Sequence, residues 1–237
     1  MARVRDVVDV GGARRGGGIP EATVLRLPIY QRILHEWQRA GRKTISSETL
    51  GRLAGENPAN VRKDLSRLGT LGTRGTGYDV SVLVAQIDRE FEVDTLRPTV
   101  LVGVGNLGRA LLNSSAFFAQ GFFPAAIFDA SPQVIGSEVD GLVVEPTADL
   151  ATRCRALEAR FAILCVPPAA AQSSADALIE GGVEHLLNFA PVVLAVPPTV
   201  TLRYVDLSIE LQVLGFYDRE RHRPTGRTSI SSPGLSG

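Results

Sequence analysis

The run TVLVGVGNLGRALL, residues 99–112, sets three glycines at the spacing Gly-x-Gly-x-x-Gly between two apolar stretches. After a strand and before a helix, Gly103 makes the tight turn, Gly105 lets the backbone approach a pyrophosphate, and Gly108 lets the helix pack on the strand. Asn106 and Leu107 complete the loop. The next apolar run, AAIFDAS, ends in Asp129, 21 residues beyond Gly108. A carboxylate there can accept both ribose hydroxyls of an adenosine. It repels a 2′-phosphate, so the arrangement favours NAD(H) over NADP(H). Val166 in FAILCVPP and Asn188 in HLLNFAP close two further apolar runs, at the edge where such a sheet holds its ligand. Asn188 suits a nicotinamide amide or a turn. The glycine spacing also serves CoA or another nucleotide, as in an interaction module.

A second constellation lies upstream, in ENPANVRKDLSRLG. Asn57 suits an N-cap and Pro58 a first helical position, about three residues after the preceding helix stops, which is helix-turn-helix spacing. Val61, Leu65 and Leu68 recur at i, i+4 and i+7 and turn inward. That leaves Asn60, Arg62, Lys63, Ser66 and Arg67 outward, a set of amide, hydroxyl and cationic groups that suits base edges and phosphates in a major groove. The following GTLGTRGTGYDV reads as a two-stranded wing with Arg74 at its centre, aimed at phosphate or the minor groove. The plain alternative is a three-helix core with solvated cations.

The elements that must position these groups divide the chain where composition changes. Residues 1–18 are rich in Gly and Arg without an apolar period, which predicts a disordered extension. Helical spacing begins at Ile19, with Ile29, Ile33, Leu34 and Trp37 as its apolar positions, and Pro28 predicts a break near Leu27. TISSETLGRLAG predicts a capped helix, with Ser46 or Ser47 paired to Glu48 or Thr49 and with Leu50 and Leu53 inward. From Thr99 onward, short apolar runs alternate with helical ones, and GRALLNSSAFFAQG reads as the helix after the glycine loop. This is the α/β pattern of a doubly wound parallel sheet.

Residues 1–80 hold 14 Lys and Arg against 8 Asp and Glu, a charge of +6, and the remainder holds 11 against 17, a charge of −6. A basic front joined to an acidic back suits a polyanion partner for the first. No run approaches the roughly 18 apolar residues of a membrane span, and the N-terminus lacks the apolar core of a secretory signal, so a cytoplasmic protein without membrane association is expected. Cys154 and Cys165 make no metal spacing and read as ordinary thiols. A dehydrogenase is the rival function. Hydride transfer needs a positioned acid or base, and His35, His185 and His222 all lie outside the expected site. No residues are left for a substrate domain, so an enzyme is not expected.

In order and spacing, RKDLSRLGTLGTRGTGYDV, GVGNLGRAL, FDASPQVIG, LNFAPVVL and VDLSIELQVLGFY resemble the Rex family of bacterial redox-sensing transcriptional repressors, over about Ile19 to Asp218. The resemblance implies a winged helix-turn-helix domain (residues 19–95), a Rossmann-like NAD(H)-binding domain (96–205), and a C-terminal helix (206–218) exchanged within a homodimer, followed by a disordered tail (219–237). It implies repression of respiratory and fermentative genes at inverted-repeat operator DNA, with release when NADH rises relative to NAD. It also implies a signalling network of an Arg, a Tyr and an Asp near the nicotinamide. By position these are Arg32, Ser114 and Asp206, so a serine stands where the family has its tyrosine. In the exchanged helix Leu207, Leu211 and Leu214 fall at i, i+4 and i+7.

Overall fold

The computed structural model describes residues 19–69, 72 and 77–222. The expected extension 1–18, Arg74 at the expected wing centre, and residues 223–237 of the expected tail lie outside them. The chain divides into a unit ending at Tyr204 and a second beginning at Val205.

The first unit opens with α1 (Glu21–Arg39), β1 (Thr44–Ile45), α2 (Ser47–Ala54), α3 (Pro58–Arg67), β2 (Tyr78–Asp79) and α4 (Val80–Glu90). Ser46 caps α2, its Oγ accepting from the Thr49 N–H at 3.1 Å, and Gly55 ends it at φ +69°. Asn57 caps α3 by accepting from the Ala59 N–H at 2.8 Å. A side chain on Gly51 would meet the Glu56 carbonyl oxygen at 2.7 Å, so only glycine lets the turn between α2 and α3 close this tightly. Leu27, Tyr30, Leu34, Leu50, Val61, Leu65, Leu83 and Ile87 are fully buried together, each stabilising the domain by about 1.5–3 kcal/mol. β1 pairs antiparallel with β2, setting Ile45 opposite Tyr78.

Two expectations fail here. The helix runs unbroken through Pro28, because Leu27, Tyr30 and Leu34 pack into one core from both sides of it and outweigh the roughly 3 kcal/mol that an internal proline costs. Leu53 is exposed, since α2 is only two turns long and Leu50 with Gly51 already fills its inward face.

The rest of this unit comprises β3 (Arg97–Val102), α5 (Asn106–Leu112), β4 (Phe122–Asp129), β5 (Glu138–Val139), β6 (Leu142–Pro146), α6 (Leu150–Ala156), β7 (Phe161–Leu164), α7 (Pro168–Glu180), β8 (His185–Asn188) and β9 (Thr201–Tyr204). They build a seven-stranded sheet in the order β5-β6-β4-β3-β7-β8-β9, parallel except for β5. One face, with Val100, Phe128, Ala162 and Leu186, packs on Leu150, Cys154, Ala171 and Leu178 of α6 and α7. The other, with Leu101, Ile127 and Ile163, packs on Leu112 of α5. Strand order reverses between β3 and β7, which opens the ligand crevice of a doubly wound sheet beyond their carboxyl ends. Register aligns Val102 with both Phe128 and Leu164, so three strands deliver their loops to that crevice at one level.

The helix after the glycine loop stops at Leu112 instead of running on through Phe118. Asn113, Ser114 and Ser115 favour turns over a helix interior; the Ser114 carbonyl instead accepts from the Phe117 N–H at 2.9 Å.

In the second unit α8 spans Leu207–Arg221, three residues beyond the expected end at Asp218. None of its residues is buried, and Leu207, Leu211, Leu214 and Phe216 are each more than half exposed. Among the described residues no helix is long and apolar enough to cross a membrane, and no cluster of His, Cys, Asp and Glu is arranged to hold a metal ion.

Candidate nucleotide site and nucleic-acid interface

β3 ends directly in the glycine loop. Gly103 takes φ +97°, and a side chain there would strike the Cys165 carbonyl oxygen and press on Val166 at 3.1 Å. Val166 therefore lies against the loop. A side chain on Gly108 would strike the Gly103 carbonyl oxygen, whereas one on Gly105 would meet nothing within 4 Å. Gly105, Asn106 and Leu107 are exposed. The loop is closed tightly behind and open in front. A backbone that faces free space at Gly105 is the cradle a pyrophosphate requires. Arg109, which the sequence reading missed, holds the loop from within by donating from Nε to the Val104 carbonyl at 3.0 Å.

Asp129 stands at the end of β4 beside this loop. One oxygen accepts from the Val104 N–H at 2.7 Å and the other from the Ser131 N–H at 2.8 Å. A carboxylate offers about four acceptor positions, so two remain for a pair of ribose hydroxyls. Asn188 does not reach outward. It is buried, its Nδ2 donates to the carbonyls of Ala190 and Val192, and its Oδ1 accepts from the Ala190 N–H. Its amide is spent on the turn after β8, which corrects the expected nicotinamide contact. Burial pushes the Cys165 thiol up to about 12, so this neighbour of the loop is protonated and unreactive at neutral pH.

On α3, Val61 and Leu65 are buried and Leu68 partly so, which turns Arg62, Lys63, Ser66 and Arg67 to the exposed side and leaves Asn60 half-buried. Their head groups differ in freedom. Arg62 donates to Ser47 Oγ at 2.9 Å and to Glu48 at 3.1 Å, Asn60 to Glu56 at 3.1 Å, Ser66 to the Lys63 carbonyl at 2.8 Å, and Arg67 to Thr23 Oγ1 at 2.8 Å. Among these residues Lys63 alone has a side-chain head group outside every hydrogen bond of the described residues.

The sequence reading missed Asp64, which lies on the inward face of α3 and is fully buried. Its carboxylate accepts from Arg26 Nε at 2.7 Å and Nη2 at 2.8 Å, from Thr23 Oγ1 at 2.8 Å and from Tyr30 OH at 3.0 Å. Burial alone would raise its pKa, but hydrogen bonds from Arg26 and Thr23 and the Arg26 charge outweigh it and hold the carboxyl below its usual range. Burial and the adjacent Asp64 push the Tyr30 phenol the other way. The available signal was spacing. Thr23, Arg26 and Tyr30 fall at i, i+3 and i+7 on one helix, and Asp64 sits at i+3 from Val61 within an apolar stripe.

The three residues of the implied network lie on different elements. Arg32 is exposed on α1, Ser114 opens the turn after α5, and no hydrogen bond joins them among the described residues. Asp206, in the second unit, caps α8 by accepting from the Ser208 N–H at 2.9 Å and hydroxyl at 2.6 Å, which holds its carboxyl below the usual range.

Residues 18–66 match a family model described as "Putative DNA-binding protein N-terminus", and residues 94–192 match one described as "CoA binding domain". The redox-sensing transcriptional repressor Rex of Streptomyces griseus is 47% identical over 209 residues, covering 88% of this chain and 83% of that protein. This chain belongs to the Rex family. Rex of Desulfitobacterium hafniense is 46% identical, covering 84% of this chain and 94% of its own. Among solved structures, RSP, a Rex-family repressor, in complex with β-NAD+ and operator DNA superposes with a TM-score of 0.81 at 32% identity, covering 87% of this chain and 95% of RSP. RSP in complex with β-NADH gives 0.78 at 30%, covering 87% and 97%. These relatives are redox-sensing transcriptional repressors, and their two-part plan is the DNA-binding domain and Rossmann-like sheet found here.

Proposed function

We propose that this Rex-family chain represses transcription from inverted-repeat operators as a cytoplasmic homodimer and leaves DNA when NADH binds. The observation that carries the reading is the glycine loop, open at Gly105 and flanked by the half-free carboxylate of Asp129, in the same unit as a capped helix-turn-helix. Gly103, Gly105, Asn106, Leu107, Gly108, Asp129 and Val166 would hold NAD(H), with backbone N–H groups at the pyrophosphate and Asp129 at the ribose. CoA and NADP(H) both carry a phosphate on the adenosine ribose, which the Asp129 charge repels, so NAD(H) is the fitting ligand.

Lys63, whose head group is in no hydrogen bond among the described residues, would contact a base edge or phosphate, with Asn60, Arg62, Ser66 and Arg67 of the same helix and Arg74 of the expected wing as further DNA contacts. A base contact through Lys63 is worth about 1–3 kcal/mol of operator preference, whereas a phosphate contact weakens all sequences alike and reduces the salt slope by roughly one counterion. α8 supplies the dimer surface. Its exposed apolar residues form one broad face, with Ser208, Gln212 and Gly215 opposite, as in a helix that buries that face.

A mobility-shift titration on an inverted-repeat operator, with NAD and NADH added separately, tests the reading. NADH is expected to release the complex and NAD to do so less. Asp129→Ala should lower NADH affinity in calorimetry and relax discrimination against NADPH. Equal release by both nucleotides, or equal NADH binding in wild type and variant, overturns the reading.

A further inference from the structure

The winged-helix and Rossmann-like parts of the first unit are joined by residues 91–96, and the turn of residues 113–121 rests on that joint. Gly121 lies at φ +87°, where a side chain would strike the Thr95 carbonyl oxygen. Its own carbonyl accepts from the Arg97 N–H at 2.8 Å. The Arg97 guanidinium donates in turn to the carbonyls of Phe91, Glu92 and Thr95, at 3.0, 2.8 and 3.1 Å.

One residue earlier, Gln120 donates from Nε2 to Gln31 Oε1 on α1 at 2.8 Å. Gln31 is only 2% exposed, and its own Nε2 donates to Asp88 on α4. A second tie joins Arg203 of β9 to Glu21 in the first turn of α1, at 3.0 Å. Glu21 and Gln31 are ten residues apart in sequence, which is about 15 Å along a helix. Held at two separated points, α1 cannot swing about one without breaking the other.

We propose that the turn 113–121 relays the state of the glycine loop to the DNA-binding domain, with Gln120 as its positioning contact and Glu21–Arg203 as the second tie. This rests on the NAD(H)-responsive reading and names how that site is coupled to its output. The connection is short. α5 begins at the glycine loop and has seven residues, so a displacement of the loop reaches the turn through two helical turns. Ser114 opens that turn through its backbone, donating to the Leu111 carbonyl and accepting from the Phe117 N–H. Side-chain contact with the DNA domain is made six residues on, by Gln120. Rotating α1 away strips the Gln31 carbonyl of its partner in a buried setting, a bias of about tenfold between the two orientations.

The test uses the full chain. Operator dissociation constants are measured with and without saturating NADH for wild type, Gln120→Ala, Arg203→Ala, and Glu21→Arg combined with Arg203→Glu. In parallel, amide hydrogen exchange is followed in residues 21–31, 113–121 and the β3–β4 strands. We expect NADH affinity of the free protein to stay within about twofold, while the ratio of the two operator constants falls by about fivefold in Gln120→Ala, the low end of usual coupling factors. Arg203→Ala should act in the same direction, and the charge-swapped pair should restore what it loses. Exchange in 21–31 and 113–121 should rise in both single variants without change in the strands. Unchanged exchange, or an unchanged ratio in variants of a responsive wild type, overturns the relay. A wild-type ratio of one overturns the NAD(H) reading instead, and raised exchange would then still support the two ties as what orients α1.

Discussion

Asp64 ties α3 to α1 through four hydrogen bonds, from Thr23, Arg26 and Tyr30. Its carboxylate is buried, and Arg26, which pairs with it bidentately, is 16% exposed. Such a pair adds little over an apolar substitute, but breaking it strands a charge at a cost of about 3–5 kcal/mol. Asp64→Ala is therefore expected to lower the urea midpoint sharply by a cost of that size, and operator affinity with it, because α3 loses the contact that sets its rotation against α1. The pH dependence has a definite sign. A carboxyl whose folded pKa lies below its unfolded value of about 3.9 contributes stability that is complete above about pH 4 and is lost as pH falls through the folded value. In urea titrations below pH 4, Asp64→Asn should show a flatter loss than wild type. A wild-type slope no steeper than that of the variant would remove Asp64 from the acid response.

Among the elements, the glycine loop with α5 shows how one residue type serves two needs. Gly108 is required by packing, since any side chain there meets the Gly103 carbonyl oxygen, whereas Gly105 faces open space. Gly108→Ala should lower thermal stability by the roughly 1–3 kcal/mol of an overpacked contact and reduce NADH affinity as a consequence of the displaced helix. Gly105→Ala should leave the melting temperature unchanged yet still weaken NADH binding, because the space it fills is the ligand's. Undiminished NADH binding by Gly105→Ala would show that the pyrophosphate does not pass this backbone. α1 teaches the converse lesson, for its internal proline is tolerated where packing on both sides is sufficient.

For the whole molecule, the deciding feature is α8, with seven large apolar side chains exposed from Leu207 to Tyr217. Apolar surface of that extent marks an interaction site, and a second copy is the partner that the proposed reading requires. Replacing Leu211 and Leu214 together by Glu should yield a monomer by sedimentation velocity and abolish binding to a two-half-site operator, since half-site spacing depends on the dimer. A doubly substituted protein that still sediments as a dimer would assign that role elsewhere.

Read alone, the sequence determined the elements whose signals are local. Asn57 and Pro58 start α3, Gly55 ends α2, and the strand, glycine turn and terminal acid of β3 to β4 lie within about thirty residues, because caps, turns and apolar periods act over one or two helical turns. It also determined which face of α3 is outward. What tertiary structure alone decided was how distant side chains are spent. Asp64 meets Thr23 across 41 residues, and Gln31 meets Gln120 across 89. Asn188 turns inward, Arg62 and Arg67 are engaged while the Lys63 head group has no hydrogen-bond partner among the described residues, and α1 passes through Pro28. Each of these depends on desolvation and partner geometry that exist only once the chain has packed, so no local pattern encodes them.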